Sequence, residues 1–214
     1  MIPGAVVFAI ITLISRGFYG LDGNLYYLKI LSFLSHHGET YYPNQSVNGM
    51  LKRALFNGKN LPWNFSFPPY QPIVYCCTLA SSIIFMFIGL FWDYKSKNPG
   101  ILSLCIVILC ATMASPIAWE HHYGIVMPIF VILSPFVLQY YSDKKWTLAL
   151  LVFAYLLVSQ YLKWTDLVAD THWNFLQSYL FFGACIILYF FLKISRTVGT
   201  VIPDEKLSWS IDRQ

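Results

Sequence analysis

Six apolar runs, separated by short polar segments, recur along the whole length of the 214-residue chain. A helix that crosses the hydrocarbon core of a bilayer takes about 20 apolar residues. Because backbone groups in lipid must satisfy their own hydrogen bonds, such runs form helices. The predicted spans are Met1–Ser15, which is short, Pro72–Trp92, Ile101–Ala118, Tyr123–Tyr141, Trp146–Leu162 and Asn174–Leu192.

Charge is too scarce to cover the surface of a water-soluble domain. Only 11% of the residues are charged and 57% are hydrophobic, whereas a soluble domain carries roughly 25% charged residues. The five cysteines all lie inside apolar runs, which favours core positions over disulfides. The net charge of +4 includes no basic tract, so nothing indicates a nucleic-acid partner. The composition predicts an all-α, polytopic transmembrane bundle that forms one membrane domain over residues 1–214.

Basic residues in the short connections predict the orientation. They lie at alternate ends of successive spans and therefore on one side, which the positive-inside rule makes cytoplasmic. The residues are Lys95, Lys97, Lys144, Lys145, Lys193 and Arg196, and a cytoplasmic tail follows at 193–214. The opposite side receives residues 17–70, 119–122 and 166–172. We therefore expect a multi-pass protein of the cell membrane with an extracytoplasmic active face.

The long outer segment, residues 17–70, contains two predicted interfacial helices. Residues 25–34 are apolar and His36-His37 ends that run. A second helix follows Pro43, with Asn44 or Ser46 as its cap. The apolar residues of this helix fall on one face and its polar residues on the other. The apolar set is Val47, Met50, Leu51, Ala54 and Leu55, and the polar side holds Asn48, Gly49, Lys52 and Arg53.

A short polar stretch, residues 115–123, interrupts the apolar pattern with Glu120, His121 and His122. Ionisable side chains at the end of a span are costly and indicate a functional site. One interpretation is a general base or a phosphate-binding imidazole beside an acid. The alternatives are a helix end that faces water and a metal site, for which no third ligand lies close in sequence.

A second polar group consists of Asn44-Gln45-Ser46 followed by Arg53. The planar guanidinium of Arg53 suits a phosphate, because its N–H groups bind two oxygens at once. Alternatively, Arg53 is a surface residue that extends to the headgroups. Asn44 and Asn64 also begin Asn-x-Ser sequences, which are acceptors for N-glycosylation in a secretory chain.

Two of these motifs resemble elements of glycosyltransferase family 87. Residues 115–122, Ser-Pro-Ile-Ala-Trp-Glu-His-His, resemble that family's S-P-x-S-W-x-H-H motif, with Ala118 in place of the serine. The Asn44-Gln45-Ser46 element with Arg53 resembles its N-Q-S…R element. The resemblance covers Gly17 to about Tyr141. It implies a GT-C enzyme, similar to the polyprenol-phosphate-mannose-dependent mannosyltransferases, that transfers a sugar with inversion on the extracytoplasmic side.

The resemblance also implies roles and partners. The donor is a polyprenyl-phosphate-linked sugar, the acceptor is a glycolipid or glycan, and no cofactor is implied. Glu120, His121 and His122 are expected to be catalytic. Asn44, Gln45, Ser46, Arg53 and Trp119 are expected to bind substrate, and we expect the imidazoles, Arg53, Asn44 and Gln45 to line one outer cavity.

Family members are roughly twice as long, and GT-C enzymes carry a catalytic aspartate in a first outer loop. The resemblance therefore implies a C-terminal portion that works with a separate N-terminal half. Asp22 and Glu39 do not match the context of that aspartate. Two other functions stay open: a non-catalytic membrane partner that binds lipid phosphate, and a metal or haem protein that uses His36, His37, His121 and His122.

Overall fold

The computed structural model describes the backbone of residues 2–55, 60–63, 67–92 and 100–201. This part of the chain is mostly helical and has no strand, so the predicted all-α architecture is confirmed. The α-helices are α1 (Ile2–His37), α2 (Val47–Leu55), α3 (Pro72–Phe91), α4 (Ile101–Met113), α5 (Val126–Tyr141), α6 (Lys145–Val158) and α7 (Tyr179–Val201). Short 3₁₀ helices cover Glu120–Ile125, Lys163–Val168 and Asn174–Ser178.

Helix α7 is the centre of the bundle. It packs against α4, α5 and α6, while α3 packs mainly against α4 and also reaches α7 through Phe85 and Phe181. Its residues Ala184, Ile187 and Phe190 are fully buried. Gly183 brings α6 close, since a Cβ atom there would lie 2.5 Å from Val158 Cγ1. A hydrophobic core of Leu, Ile, Val and Phe side chains therefore holds α4 to α7 together.

Several helices are long and apolar enough to cross a membrane, which supports a membrane protein. They are Gly4–His37, Pro72–Phe91, Glu120–Tyr141 and Asn174–Arg196. The other two predicted spans correspond to the shorter apolar helices Ile101–Met113 and Lys145–Val158. Six apolar helices are thus present, but only four of them reach the length of a full span among the described residues.

The first predicted span is wrong in its length. Instead of ending at Ser15, α1 runs from Ile2 to His37 and bends at Gly20, whose φ of 71° and ψ of 175° are not helical. Glycine adopts a positive φ at little cost, so the chain changes direction there and resumes its helix. The predicted interfacial helix at 25–34 lies within the second half of α1. Its side chains are largely exposed, and its main neighbour is α3.

Other boundaries also differ from the prediction; the fifth span was expected to end at Leu162, for example, but α6 ends at Val158. The third span was expected to reach Ala118, but α4 ends at Met113. Pro116 explains this, because proline lacks an N–H and its ring restricts the preceding residue to extended conformations. The tail predicted from Lys193 begins inside α7, which continues to Val201. Residues 202–214, like Lys95 and Lys97, lie outside the described residues.

Candidate functional site

The two motifs meet directly at one end of the bundle. Asn44 and Trp119 form an antiparallel backbone bridge. The Gln45 N–H donates to the Ala118 carbonyl at 2.7 Å, and the Ala118 N–H donates to Asn44 Oδ1 at 3.1 Å. Ser46 Oγ donates to the Pro116 carbonyl at 2.8 Å. The side chains of Asn44 and Ser46 and the backbone of Gln45 therefore bind the backbone that carries Trp119, Glu120 and the imidazoles.

Helix α2 turns its polar face inward. Ser46 is its cap, because the Gly49 N–H donates to Ser46 Oγ at 3.1 Å. Its residues Asn48, Gly49, Lys52 and Arg53 are buried, whereas Leu55 is 52% exposed. The amphipathic pattern was predicted correctly, and its polar side is buried, while Val47 and Met50 of the apolar set pack partly buried against the hydrophobic core. Such an arrangement suits a helix whose outer face meets an apolar medium.

Arg53 is fully buried, so its interpretation as a surface residue is wrong. Its Nη2 donates to the Asn44 carbonyl at 3.0 Å and to Ser178 Oγ at 2.5 Å, and its Nη1 donates to the Tyr41 carbonyl at 3.2 Å. Burial lowers the pKa of Arg53, and the nearby carboxylates Glu120 and Glu39 partly offset that effect. The guanidinium thus ties α2 to the start of α7 and places a positive charge beside two acids.

The start of α7 completes the polar cluster, and sequence reasoning missed it. Gln45 Nε2 donates to the Gln177 carbonyl at 2.7 Å, and the Leu180 N–H donates to Gln45 Oε1 at 3.2 Å. Asn60 Nδ2 donates to Gln177 Oε1. The signal was available in the sequence, since Asn174, Gln177 and Ser178 open an otherwise apolar span.

Several buried polar atoms in this cluster have no hydrogen-bond partner among the described residues. They are Arg53 Nε, Asn60 Oδ1, both amide atoms of Asn174, and Gln177 Nε2. Buried polar atoms without partners are uncommon, and they concentrate at functional sites. Their concentration at the same end of the bundle as both motifs supports a site there.

Glu39 is a second residue that the sequence interpretation set aside. It follows Gly38, which ends α1 with a φ of 62°, and it is 7% exposed. Trp119 Nε1 donates to Glu39 Oε2 at 2.6 Å. Burial raises the pKa of Glu39, while the Trp119 hydrogen bond and the charge of Arg53 partly counter that rise. The structure therefore adds a carboxylate to the site.

Glu120 is the other acid of the site. Tyr179 on α7 donates its hydroxyl to Glu120 Oε1 at 3.3 Å. Arg53 interacts electrostatically with both Glu120 and Glu39. The buried guanidinium of Arg53 is therefore the charge that both carboxylates share at this end of the bundle, where Lys52 is buried as well.

The tandem imidazoles face outward. His121 and His122 are exposed, and their ring centroids are 4.2 Å apart. His122 Nδ1 accepts the Trp119 N–H at 3.0 Å. His122 Nδ1 also lies 3.3 Å from the Trp119 carbonyl oxygen. When Nδ1 accepts the Trp119 N–H, the neutral ring carries its proton on Nε2, which is then the donor of an exposed side chain with His121 beside it.

The predicted site residues do converge on one end of the bundle, but they do not all line an open cavity. Asn44, Gln45, Ser46 and Arg53 are fully buried, because they satisfy backbone groups of the protein. Their role in substrate binding stays a prediction. Burial of Asn44 also leaves no room for a glycan at that residue, and Asn64 lies outside the described residues.

The paired histidines at the end of α1 have other contacts. His36 stacks on Tyr75, with centroids 4.5 Å apart, and His37 Nδ1 lies 2.9 Å from the Pro68 carbonyl oxygen. Within the described part of the chain, no group of three or more His, Cys, Asp or Glu side chains is placed to hold a metal ion. The metal alternative has no support from the described geometry.

Comparisons with models of known families, with curated proteins and with solved structures found no match to this chain. The resemblance to glycosyltransferase family 87 therefore depends on its two motifs alone.

Proposed function

We propose that this chain is part of a membrane glycosyltransferase of the GT-C type, which transfers a hexose from a polyprenyl-phosphate donor to a glycolipid or glycan acceptor. The reaction takes place at the end of the bundle where Trp119, Glu120 and the imidazoles lie. This end faces the extracytoplasmic side of the cell membrane in the proposal. A separate N-terminal half supplies the remaining catalytic carboxylate.

One observation carries the proposal: the two motifs that resemble family 87 elements are hydrogen-bonded to each other. They are separated by about 70 residues in sequence, yet Asn44 pairs with Trp119. The contacts between the two motifs are buried and paired, and a satisfied buried polar network holds the groups that it carries in one arrangement.

The chemistry requires an inverting displacement. The acceptor oxygen forms a bond to the anomeric carbon as the bond from that carbon to the phosphate oxygen breaks, and the bonding electrons leave with the phosphate. The acceptor proton passes to a carboxylate base. N–H donors stabilise the negative charge that develops on the leaving phosphate.

We assign a role in these steps to each residue from its position. With Nδ1 as the acceptor, His122 presents its Nε2–H on an exposed side chain and His121 lies beside it, so this pair is placed to donate to a lipid phosphate. Glu120, held by Tyr179, is the carboxylate next to the imidazoles. Arg53 does not reach a phosphate from its buried position, and it acts by fixing the shape and charge of the site.

The test measures transfer from a radiolabelled polyprenyl-phosphate hexose in nanodiscs, for the chain alone and for the chain co-expressed with an N-terminal membrane half. We expect turnover only in the second preparation. His121→Ala and Glu120→Gln should each reduce it by about 10²-fold or more. His172→Ala is the matched control, because His172 is another exposed imidazole.

Two results would contradict the proposal. Equal losses in His121→Ala and His172→Ala would remove His121 from the reaction. Binding of polyprenyl phosphate without transfer in both preparations would instead support the non-catalytic membrane partner.

A further inference from the structure

Helix α1 is too long to cross a bilayer in one straight line, and its second part carries two opposite charges. Its 36 residues span about 54 Å at 1.5 Å per residue, whereas the hydrocarbon core is about 30 Å thick. The bend at Gly20 divides the helix. The part after the bend contains Asp22 and Lys29 and reaches His37 at the polar end of the bundle. Residues 21–37 therefore suit a position in the plane of the interface, where charged side chains keep access to water.

Four residues of this part follow one face of the helix. Leu25 and Tyr26 are three and four residues from each of Asp22 and Lys29, which places all four side chains in one stripe. All four are exposed, Leu25 by 48% and Tyr26 by 65%, and they line one depression of the surface. This stripe, which we call the α1 seam, has an acid at one end, a base at the other and apolar side chains between them.

Neither charge of the α1 seam is neutralised within its own helix. Side chains three or four residues apart are neighbours on a helix, but Asp22 and Lys29 are seven residues apart, or about 10 Å along the axis. No hydrogen bond or ion pair joins either of them to another residue of the described ranges. A partner that covers the apolar centre of the seam must therefore supply a base opposite Asp22 and an acid opposite Lys29.

We propose that this partner is a second copy of the chain, whose α1 seam packs antiparallel on the first. Leu25 and Tyr26 lie midway between the two charges. A two-fold axis through that point brings each Asp22 opposite the Lys29 of the other copy. The surface is thus complementary to itself, as a two-fold interface requires. This inference does not depend on the proposed function.

The membrane permits this direction of packing. Two copies that insert with the same orientation are related by an axis along the membrane normal. Such an axis reverses the direction of a helix that lies in the membrane plane, so the two copies of residues 21–37 run antiparallel where they meet. Helices that cross the bilayer would instead run parallel and would set like charges against each other.

The order of residues in the α1 seam is that of an interface, because such surfaces have an apolar centre and a polar rim. Lipid headgroups also meet surfaces of this kind, but they impose no register on the two charges. A different protein fits only if it carries the same two charges in the reverse order. A second copy presents that order in every case, so the register of the charges is the property to test.

The experiment measures energy transfer between donor-labelled and acceptor-labelled copies of the full chain in liposomes, titrated by dilution with lipid. We expect the wild-type chain to dimerise. Asp22→Lys and Lys29→Asp should each weaken the dimer about tenfold or more, because each places like charges opposite one another on both sides of the axis. The variant with both substitutions should recover the wild-type dimer, and the two single variants should pair with each other when they are mixed.

Asp143→Lys is the matched control, because Asp143 is an exposed acid outside α1, and circular dichroism checks that every variant keeps its helices. A wild-type chain that stays monomeric at all lipid ratios would overturn the inference, as would equal effects of Asp22→Lys and Asp143→Lys. Loss of the dimer in both single variants, without recovery in the double variant and the mixture, would also overturn it, because the charges would then not face each other in the antiparallel register.

Discussion

The cations at the two ends of the bundle lie in different environments. At the polar end, the fully buried Arg53 is surrounded by carbonyl oxygens, a serine hydroxyl and two carboxylates. At the basic end, where α3, α5 and α7 finish, cations lie on aromatic rings. Lys193 Nζ is 4.4 Å from the centroid of Tyr141, and Arg196 Cζ is 4.4 Å from that of Trp92.

This difference distinguishes the candidate functional site from a surface that meets the membrane headgroups. The cations of the basic end keep access to the surface, as expected where a helix bundle meets headgroups, and their aromatic partners are typical of the interface. Burying Arg53 costs several kcal/mol of desolvation, which a boundary does not require. The desolvation of Arg53 is thus offset by specific hydrogen bonds at the polar end, which Lys193 and Arg196 do not require because they keep contact with the surface.

Removal of the buried cation should cause the largest loss of stability among these variants. Arg53→Met leaves the Tyr41 and Asn44 carbonyls and the Ser178 hydroxyl without the guanidinium, and it removes the positive charge near Glu39 and Glu120. We expect a loss of about 3–5 kcal/mol in stability, the usual result when one partner of a buried charge group is removed. Thermal unfolding in detergent measures it, and a loss below that of a surface substitution would show that the two ends do not differ in this respect.

The second prediction concerns the close approach of α2 to the Asn-Gln-Ser element. A Cβ atom at Gly49 would lie 2.3 Å from the Asn44 carbonyl oxygen. Gly49→Ala should therefore displace that backbone and lower stability by about 1–3 kcal/mol. Gly124→Ala is its control, since nothing lies within 4 Å of a Cβ atom there. Similar unfolding temperatures for both variants would contradict the tight packing.

The third prediction concerns the pH dependence of stability that Glu39 causes at the polar end. Burial raises the pKa of Glu39 in the folded chain, so the fold holds this proton more tightly than the unfolded chain, where Glu titrates near 4.3. Stability therefore falls as pH rises from about 4.3 through the folded pKa, and then levels off. Glu39→Gln should show a smaller decline when thermal unfolding is followed against pH. An unchanged pH profile would mean that the carboxyl is solvated.

The smallest effect is expected at the basic end. Lys193→Met removes the cation over Tyr141 but retains an apolar chain in its place. Cation–π contacts at exposed sites contribute about 0.5–1 kcal/mol, so the unfolding temperature should change little. A loss as large as that of Arg53→Met would remove the contrast between the ends.

Much of the fold could be predicted from the sequence, because apolar runs in lipid must be helical whatever their neighbours are. The cap at Ser46, the stop at His37 and the amphipathic pattern of α2 also follow from local rules. The continuation of α1 beyond Ser15 was not predicted, since the bend at Gly20 restores the helix after a change of direction that no local rule marks. The end of α4 at Met113 was missed although Pro116 signals it.

The sequence by itself determined that the chain forms apolar helices, because composition and periodicity act within each segment. It also placed the polar residues of both motifs at helix ends. Only the tertiary structure decided what those residues contact: that Arg53 is buried, that α2 turns its polar face inward, and that Glu39 meets Trp119. These contacts join residues from about 9 to 135 positions apart, and their energies depend on burial, which no single segment specifies.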